Sequence, residues 1–281
     1  MSLLLVAAVV AVGFASGVLS GMFGVGGAVL TTPGIRFLGA TPIEAVGSTI
    51  PAILPGSLSG AWRYSRERMV DWSVALPSGA IGSGFAVLGA ELSDHVNGHY
   101  LMLLTAAMLM WSGLNSVRNH ARSTAKLAVP VGAGDDVVVE LGDVNDVDLD
   151  NELASRPDKK PIAAVALIGA SAGLLAGLLG VGGGVLLVPA YTGLLRLPAK
   201  RAVATSLVAV AIFSVPAMIT HALLGHINWA YALPLVIGVI PGAQVGAHIT
   251  VRGSEARLRL LMGLFFTVLA VVYGAGELLA L

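Results

Sequence analysis

Two stretches of the chain decide its fold: GVLSGMFGVGGAVLTTP at residues 17–33 and GLLAGLLGVGGGVLLVP at residues 173–189. Their glycines, valines and closing proline align 156 residues apart. Further blocks follow in the same order, 157 residues apart: AVGSTI (45–50) with AVATSL (202–207), and DWSVALP (71–77) with NWAYALP (228–234). An ordered series of matches at a nearly constant spacing indicates an internal duplication.

The composition excludes a water-soluble enzyme. Of the 281 residues, 56% are hydrophobic and 11% are charged, against roughly 25% charged residues in a soluble domain. A soluble protein of this size cannot cover so much apolar surface. The charges balance at 16 basic and 16 acidic residues, so nothing in the bulk charge favours a nucleic-acid partner. Cysteine is absent, which excludes disulfides and thiolate metal sites.

The apolar runs predict an all-α, polytopic membrane protein. A spanning helix needs about 20 mostly apolar residues. Eight runs are long enough: Ser2–Met22, Ala45–Trp62, Trp72–Leu92, Tyr100–Val117, Pro161–Leu179, Ala202–Leu224, Trp229–Ile249 and Leu258–Leu279. Two shorter runs, Gly27–Leu38 and Gly183–Leu195, each follow a glycine cluster and suit broken or re-entrant helices. We therefore expect about five segments per half and 8–10 spans, with the second and seventh segments short.

The long hydrophilic stretch divides the chain into three parts. Residues 118–160 carry nine acidic and six basic side chains, and this composition is typical of a flexible, solvated linker. We expect this linker to be cytoplasmic. The first transmembrane repeat is then 1–117 and the second is 161–281.

The positions of the basic residues indicate that the two repeats are inverted. Basic residues of short loops mark the cytoplasmic side of a membrane protein. In the first half they cluster at 63–68 and 118–126, and in the second half they move to the alternate loops, at 196–201 and 252–259. All four clusters lie on one side only if the halves have opposite orientations. Inverted repeats are typical of transporters whose site lies between the repeats near the membrane midplane.

The glycine clusters are the predicted site. Several glycines together can open a helix, and the short helix that follows would direct its N-terminal N–H groups at the gap. Such a helix end binds anions without a charged side chain. Close helix packing through small residues is the alternative. The candidate substrate-binding residues are the glycines, the neighbouring hydroxyls and two interior polar side chains: Gly24, Gly26, Gly27, Thr31, Thr32, Ser48, Thr49, Gly180, Gly182, Gly183, Gly184, Thr205, Ser206, His221 and Gln244.

The ordered set of motifs resembles the sulfite exporter TauE/SafE family. The resemblance is carried by Gly21-x-x-Gly24-x-Gly26-Gly27 and Gly177-x-x-Gly180-x-Gly182-Gly183, by the proline after each, and by the A-V-x-[ST]-[ST] and W-x-x-A-x-P blocks. The resemblance covers both halves of the chain and is absent only from residues 118–160. It implies a carrier of sulfite-like or sulfonate-like organic oxyanions in the cytoplasmic membrane, and it bears most directly on the glycines of the two breaks.

We therefore predict that the protein is a multi-pass exporter of small oxyanions, with no enzyme activity, no cofactor and no metal. Its partners would be the anion and the lipid bilayer, and a homodimer is left open. Two rivals are a cation-coupled uptake carrier and a non-transporting scaffold that recruits partners through its acidic loop. No zincin motif supports an intramembrane hydrolase.

Overall fold

The computed structural model describes residues 2–127 and 161–278 as a succession of helices joined by short turns, and no strand occurs in these two ranges. The first range contains α1 (Leu3–Phe23), α2 (Ala28–Phe37), α3 (Pro42–Arg66), α4 (Trp72–His95) and α5 (Gly98–Leu127). The second contains α6 (Ile162–Leu179), α7 (Gly184–Gly193), α8 (Ala199–Leu223), α9 (Trp229–Arg252) and α10 (Glu255–Leu278).

This helix order confirms the predicted all-α fold with five segments in each half. The second helix of each half, α2 or α7, is ten residues long, as the two short apolar runs predict. Helices α1, α4, α6, α8 and α9 are long and apolar enough to cross a membrane. Helix α5 continues to Leu127, so the first ten residues of the predicted linker are helical. The remainder of that linker, 128–160, lies outside the described residues.

The end of α1 shows where the two halves meet. The Tyr64 hydroxyl, near the end of α3, donates to the carbonyl oxygen of Gly21 at 2.7 Å. The Ser206 hydroxyl, near the start of α8, donates to the carbonyl oxygen of Gly24 at 2.9 Å. The end of α1 therefore lies beside the end of α3 and the start of α8.

The end of α6 shows the mirrored arrangement. The Thr49 hydroxyl, near the start of α3, donates to the carbonyl oxygen of Gly180 at 3.2 Å. The Nε2 of His221, near the end of α8, donates to the carbonyl oxygen of Gly177 at 2.9 Å. The equivalent helices α3 and α8 therefore run in opposite directions, as inverted repeats require.

Close backbone contacts interlock the two repeats. Helix α1 packs along α9 through Gly13, Gly17 and Gly21, which face Gly238, Gly242 and Gly246. A Cβ atom at Gly13 would lie 2.7 Å from the carbonyl oxygen of Leu235. Helix α6 packs along α4 in the equivalent way, with Gly173 against Gly82. The first helix of each repeat thus lies against the fourth helix of the other, in the small-residue packing that membrane helices use.

Large apolar side chains point away from these seams. Leu167 of α6 is 69% exposed and Ile237 of α9 is 64% exposed, whereas buried serines and threonines line the centre. This distribution is that of a protein whose solvent on the outside is lipid.

We expect Gly173→Ala to destabilise the protein, because the added methyl group would collide with the backbone of Gly82. Overpacking of this kind costs about 1–3 kcal/mol. Gly84→Ala on α4 is the matched control, since nothing lies within 4 Å of its added Cβ atom. Thermal unfolding in detergent should show a lower midpoint for Gly173→Ala alone. Equal midpoints for both variants would contradict the packing described for this seam.

Candidate functional site

Both predicted glycine breaks are present, and both depend on left-handed backbone. Three glycines of each break have positive φ, at +74°, +84° and +93° for Gly24, Gly26 and Gly27, and at +64°, +83° and +63° for Gly180, Gly182 and Gly183. Residues with a Cβ atom adopt these angles at a steric cost, whereas glycine does not. Each break therefore ends one helix and starts the next without backbone strain.

The structure brings the two breaks into direct contact. A Cβ atom at Gly184 would collide with the carbonyl oxygen of Gly24 and would lie 2.6 Å from the Cα atom of Val25. A Cβ atom at Gly182 would lie 2.8 Å from the carbonyl oxygen of Val25. The contact joins equivalent segments of the two repeats and lies at the centre of the interlocked structure.

Both short helices begin at this contact with uncapped ends. Gly27 occupies the N-cap position of α2 and Gly183 that of α7, and neither end has a side-chain cap. The first N–H groups of a helix have no partner within the helix, and they carry the positive end of its dipole. The start of α2 thus provides neutral hydrogen-bond donors in the interior of the protein, whereas at the start of α7 the Gly184 N–H already donates to the carbonyl oxygen of Gly182 at 2.7 Å.

The predicted hydroxyls at the start of α3 and α8 connect the repeats. Thr49 and Ser206 lie within hydrogen-bond distance of the carbonyl oxygens of Gly180 and Gly24, each in the opposite repeat. Each hydroxyl also lies within hydrogen-bond distance of a carbonyl oxygen of its own helix, that of Val46 at 2.9 Å or that of Val203 at 2.8 Å. A hydroxyl has one hydrogen to donate, so in this conformation neither side chain offers a donor to an anion.

Their neighbours accept hydrogen bonds across the same boundary. Ser48 accepts from the backbone N–H of Asn228 at 2.8 Å, and Thr205 accepts from that of Asp71 at 3.0 Å. These two bonds are again equivalent, because Asp71 and Asn228 are 157 residues apart.

The two predicted threonines of α2 also have protein partners. Thr31 donates to the carbonyl oxygen of Gly27 at 3.0 Å, within the first turn of α2. Thr32 donates to the Thr49 hydroxyl at 3.4 Å. Thr31, Thr49 and Ser206 contact glycines of the two breaks directly. The role of all six hydroxyls as anion ligands stays a prediction.

Two serines beside the first break, Ser16 and Ser20, are not among the residues that the sequence predicts for the site. A cavity of about 10 Å³ lies at the start of α2, lined by Ser16, Ser20 and Gly27 and closed by Phe265 and Phe266 of α10. Such a volume holds about one water molecule. Ser16 donates to the carbonyl oxygen of Gly27, whereas Ser20 is 1% exposed and its hydroxyl has no hydrogen-bond partner.

A second buried hydroxyl without a partner lies on the other flank of the break. Ser57 of α3 is fully buried. Its Oγ lies 3.2 Å from the position of a Cβ atom on Gly26. The first break is therefore flanked by two buried hydroxyls that have no hydrogen-bond partner, those of Ser20 and Ser57.

The second break lacks this polar border. Ala172 and Ala176 occupy the positions equivalent to Ser16 and Ser20. The Phe213 ring fills the space beside Gly183, where its Cζ lies 2.8 Å from the position of a Cβ atom. The difference between serine and alanine at these positions is visible in the sequence. Only the structure shows that the Ser20 hydroxyl is buried without a hydrogen-bond partner.

His221 bonds the carbonyl oxygen of Gly177, three residues before the second break, and belongs to a chain of three titratable groups. Its Nδ1 lies 3.1 Å from the Nδ1 of His226, and the Nε2 of His226 lies 3.1 Å from an oxygen of Asp94. Gln244 is exposed on α9 and does not join the other candidates.

We expect Thr49→Val to lower stability by about 1–2 kcal/mol, because it removes the hydroxyl that lies between the carbonyl oxygens of Val46 and Gly180 and so joins α3 to the end of α6. Thr220→Val is the control, since that hydroxyl bonds only to its own helix, at Pro216. Denaturation of both variants in the same detergent measures the difference. A loss no larger than that of the control would contradict the role of Thr49 in joining the repeats.

Comparison with known proteins agrees with this architecture. Residues 9–273 match the family model described as "Sulfite exporter TauE/SafE". The chain is 27% identical over 270 residues to the probable membrane transporter protein YunE of Bacillus subtilis, covering 90% of this chain and 91% of that protein. It is 22% identical over 292 residues to the probable membrane transporter protein MJ0441 of Methanocaldococcus jannaschii, covering 96% and 95%. No solved structure matches the chain.

The match extends over both repeats and both glycine breaks, and the alignments with these two relatives cover nearly the whole of each protein. The chain belongs to the sulfite exporter TauE/SafE family of membrane transporters.

Proposed function

We propose that the protein carries a small oxyanion across the membrane and binds it at the first glycine break, between the start of α2 and the Ser20 hydroxyl. The observation that carries this proposal is the cavity at the uncapped N-terminus of α2, into which a buried hydroxyl without a partner projects. The description of the family supports sulfite as the substrate, and a sulfonate stays a prediction from the sequence.

The chemistry of the cavity suits transient binding of an anion. Its lining contains hydroxyl, aliphatic, aromatic and backbone groups and no charged side chain. Backbone N–H groups and a serine can replace part of the hydration shell of an oxyanion. Because no lysine or arginine holds the anion there, it can leave as readily as it enters.

The size of the cavity implies that this conformation is closed. A volume of about 10 Å³ does not accommodate the four or more heavy atoms of an oxyanion. Phe265 and Phe266 lie on α10 and pack against Phe23, with ring centroids 5.5 and 5.9 Å apart. We propose that displacement of this aromatic cluster, formed by Phe23, Phe265 and Phe266, opens the site.

The membrane potential supplies a driving force for export. An inside-negative potential favours outward movement of an anion by about 2.3 kcal/mol per charge per 100 mV. A doubly charged ion gains twice this amount, so the proposed export needs no nucleotide. The absence of catalysis and the formation of a homodimer stay predictions from the sequence.

We expect Ser20→Ala to reduce anion efflux without loss of stability, because it removes a hydroxyl that no protein group uses. An unsatisfied buried hydroxyl costs about 1 kcal/mol or more, so the variant should be at least as stable as the wild type. The measurement is efflux of sulfite, sulfate, thiosulfate, a sulfonate and a carboxylate from proteoliposomes at a clamped potential.

Ser214→Ala is the control for this experiment, since Ser214 stands at the position equivalent to Ser57 and already bonds to Ala211. Selective efflux that falls in Ser20→Ala and persists in Ser214→Ala supports the proposed site. If Ser20→Ala transports the anion at the wild-type rate, the first break is not the binding site. Failure of the wild type to move any anion would overturn the function.

Deletion of residues 127–155 separates a transporter from a scaffold. Because we place the anion among α1, α2, α3 and α10, the shortened protein should retain efflux in the same proteoliposomes. If the deletion abolishes efflux while the protein stays monodisperse and folded, the site we propose does not suffice for transport.

A further inference from the structure

The array of Asp94, His226 and His221 lies at the end of the molecule away from the basic loops, where the chain reverses between α8 and α9. The distribution of basic residues places this end outside the cell. The exposure of the three side chains decreases along the array, because Asp94 is 51% exposed, His226 6% and His221 0%. The array therefore runs from the surface to a fully buried imidazole.

The three contacts are consistent with one specific set of N–H hydrogens when the Asp94 carboxylate is ionised. A carbonyl oxygen only accepts, so His221 must carry a hydrogen on Nε2 to bond Gly177. With Asp94 ionised, His226 must carry one on its own Nε2. The two Nδ1 atoms, 3.1 Å apart, then require one shared hydrogen between them. Three N–H hydrogens on two rings give one positive charge, which the Asp94 carboxylate balances.

A change of one proton in either direction breaks this arrangement. Loss of the shared proton leaves two lone pairs facing each other across the Nδ1···Nδ1 contact. Protonation of both Nδ1 atoms places two N–H groups, and two positive rings, at the same contact. The geometry of the Nδ1···Nδ1 contact therefore suits one shared proton.

The pseudo-symmetry of the chain shows that this array is specific to the second repeat. Tyr64 is the equivalent of His221, and it donates to the carbonyl oxygen of Gly21 as His221 donates to that of Gly177. Met69 and Val251 occupy the positions equivalent to His226 and Asp94. One hydrogen bond to the glycine is therefore enough for the fold, and the titratable partners add a second property.

We propose that Asp94, His226 and His221 form a proton-binding site whose occupancy controls the second glycine break. The connection is short, since His221 bonds Gly177 and the break begins three residues later at Gly180. Proton uptake or loss ruptures the contact between the imidazoles, moves His221 and frees the end of α6. This inference concerns the second repeat and does not depend on which anion the protein carries.

Other titratable groups near the site differ from this array in their contacts. On α4, Glu91 and His95 lie within one turn of Asp94, and the His95 ring bonds the Glu91 carbonyl oxygen. On α3, the Glu44 carboxylate accepts from the Asn228 side chain at 3.3 Å. Helix α6 contributes no ionisable side chain. A pH titration of the array therefore has to distinguish its proton from those of Glu91, His95 and Glu44.

The first test is a ¹⁵N NMR titration of histidine-labelled full-length protein in lipid nanodiscs. We expect the Nδ1 signals of His221 and His226 to move together in one transition. Asp94→Asn should shift that transition towards lower pH, because it removes the balancing negative charge. His95→Gln, next to Asp94 in sequence, should leave it unchanged. Two independent transitions, or no effect of Asp94→Asn, would overturn the proton site.

The second test measures the link to the break by hydrogen exchange across residues 177–184 as pH varies. His221→Tyr copies Tyr64, which keeps the hydrogen bond to the glycine carbonyl but holds no extra proton. We expect protection of these residues to vary with pH in the wild type beyond the variation in His221→Tyr. Identical pH profiles would overturn control of the break. Because no substrate is present, failure here is separate from failure of anion transport.

Discussion

The close approach of helix backbones through glycine is the constraint on which the rest of the structure depends. Along both seams, a Cβ atom added to a glycine would collide with a carbonyl oxygen of the facing helix. At Gly17 the collision is with Val239, and at Gly177 it is with Ala86. Contact at this distance joins α1 to α9 and α6 to α4, so each repeat is completed by a helix of the other. The end of each first helix is thereby held at the centre, where the two breaks meet.

Pseudo-symmetry builds the scaffold, and departures from it locate the functions that we propose. Thr49 and Ser206 make equivalent bonds to the breaks, and Ser48 and Thr205 make equivalent bonds between the repeats. In contrast, Ser20 is replaced by Ala176 at the equivalent position of the second repeat, and His221 corresponds to Tyr64 of the first. The first break therefore has hydroxyls without partners, where we propose that the anion binds, and the second is linked to the array of Asp94, His226 and His221.

The sequence predicts the repeats, the short second helices and the two breaks, because glycine spacing and internal duplication are visible in one chain. It does not predict that α1 packs on α9, since several helices carry small residues at helical spacing and only tertiary structure selects the pair. It also misses Ser20, which resembles any serine of a membrane helix until its hydroxyl is seen to lack a partner. The contacts that connect His221, His226 and Asp94 are also not predictable from the sequence, because tertiary structure brings these side chains together.

The most direct test of the anion site uses the absence of cysteine from the chain, which makes single-cysteine labelling specific. Ser20→Cys and its counterpart Ala176→Cys would be treated in membranes with a small anionic methanethiosulfonate reagent, with and without excess sulfate, and with His95→Cys as the exposed reference. We expect Ser20→Cys to react, sulfate to slow that reaction, and Ala176→Cys to stay unmodified. Equal labelling of Ser20→Cys and Ala176→Cys, or no labelling of Ser20→Cys while His95→Cys reacts, would contradict an anion site at the first break.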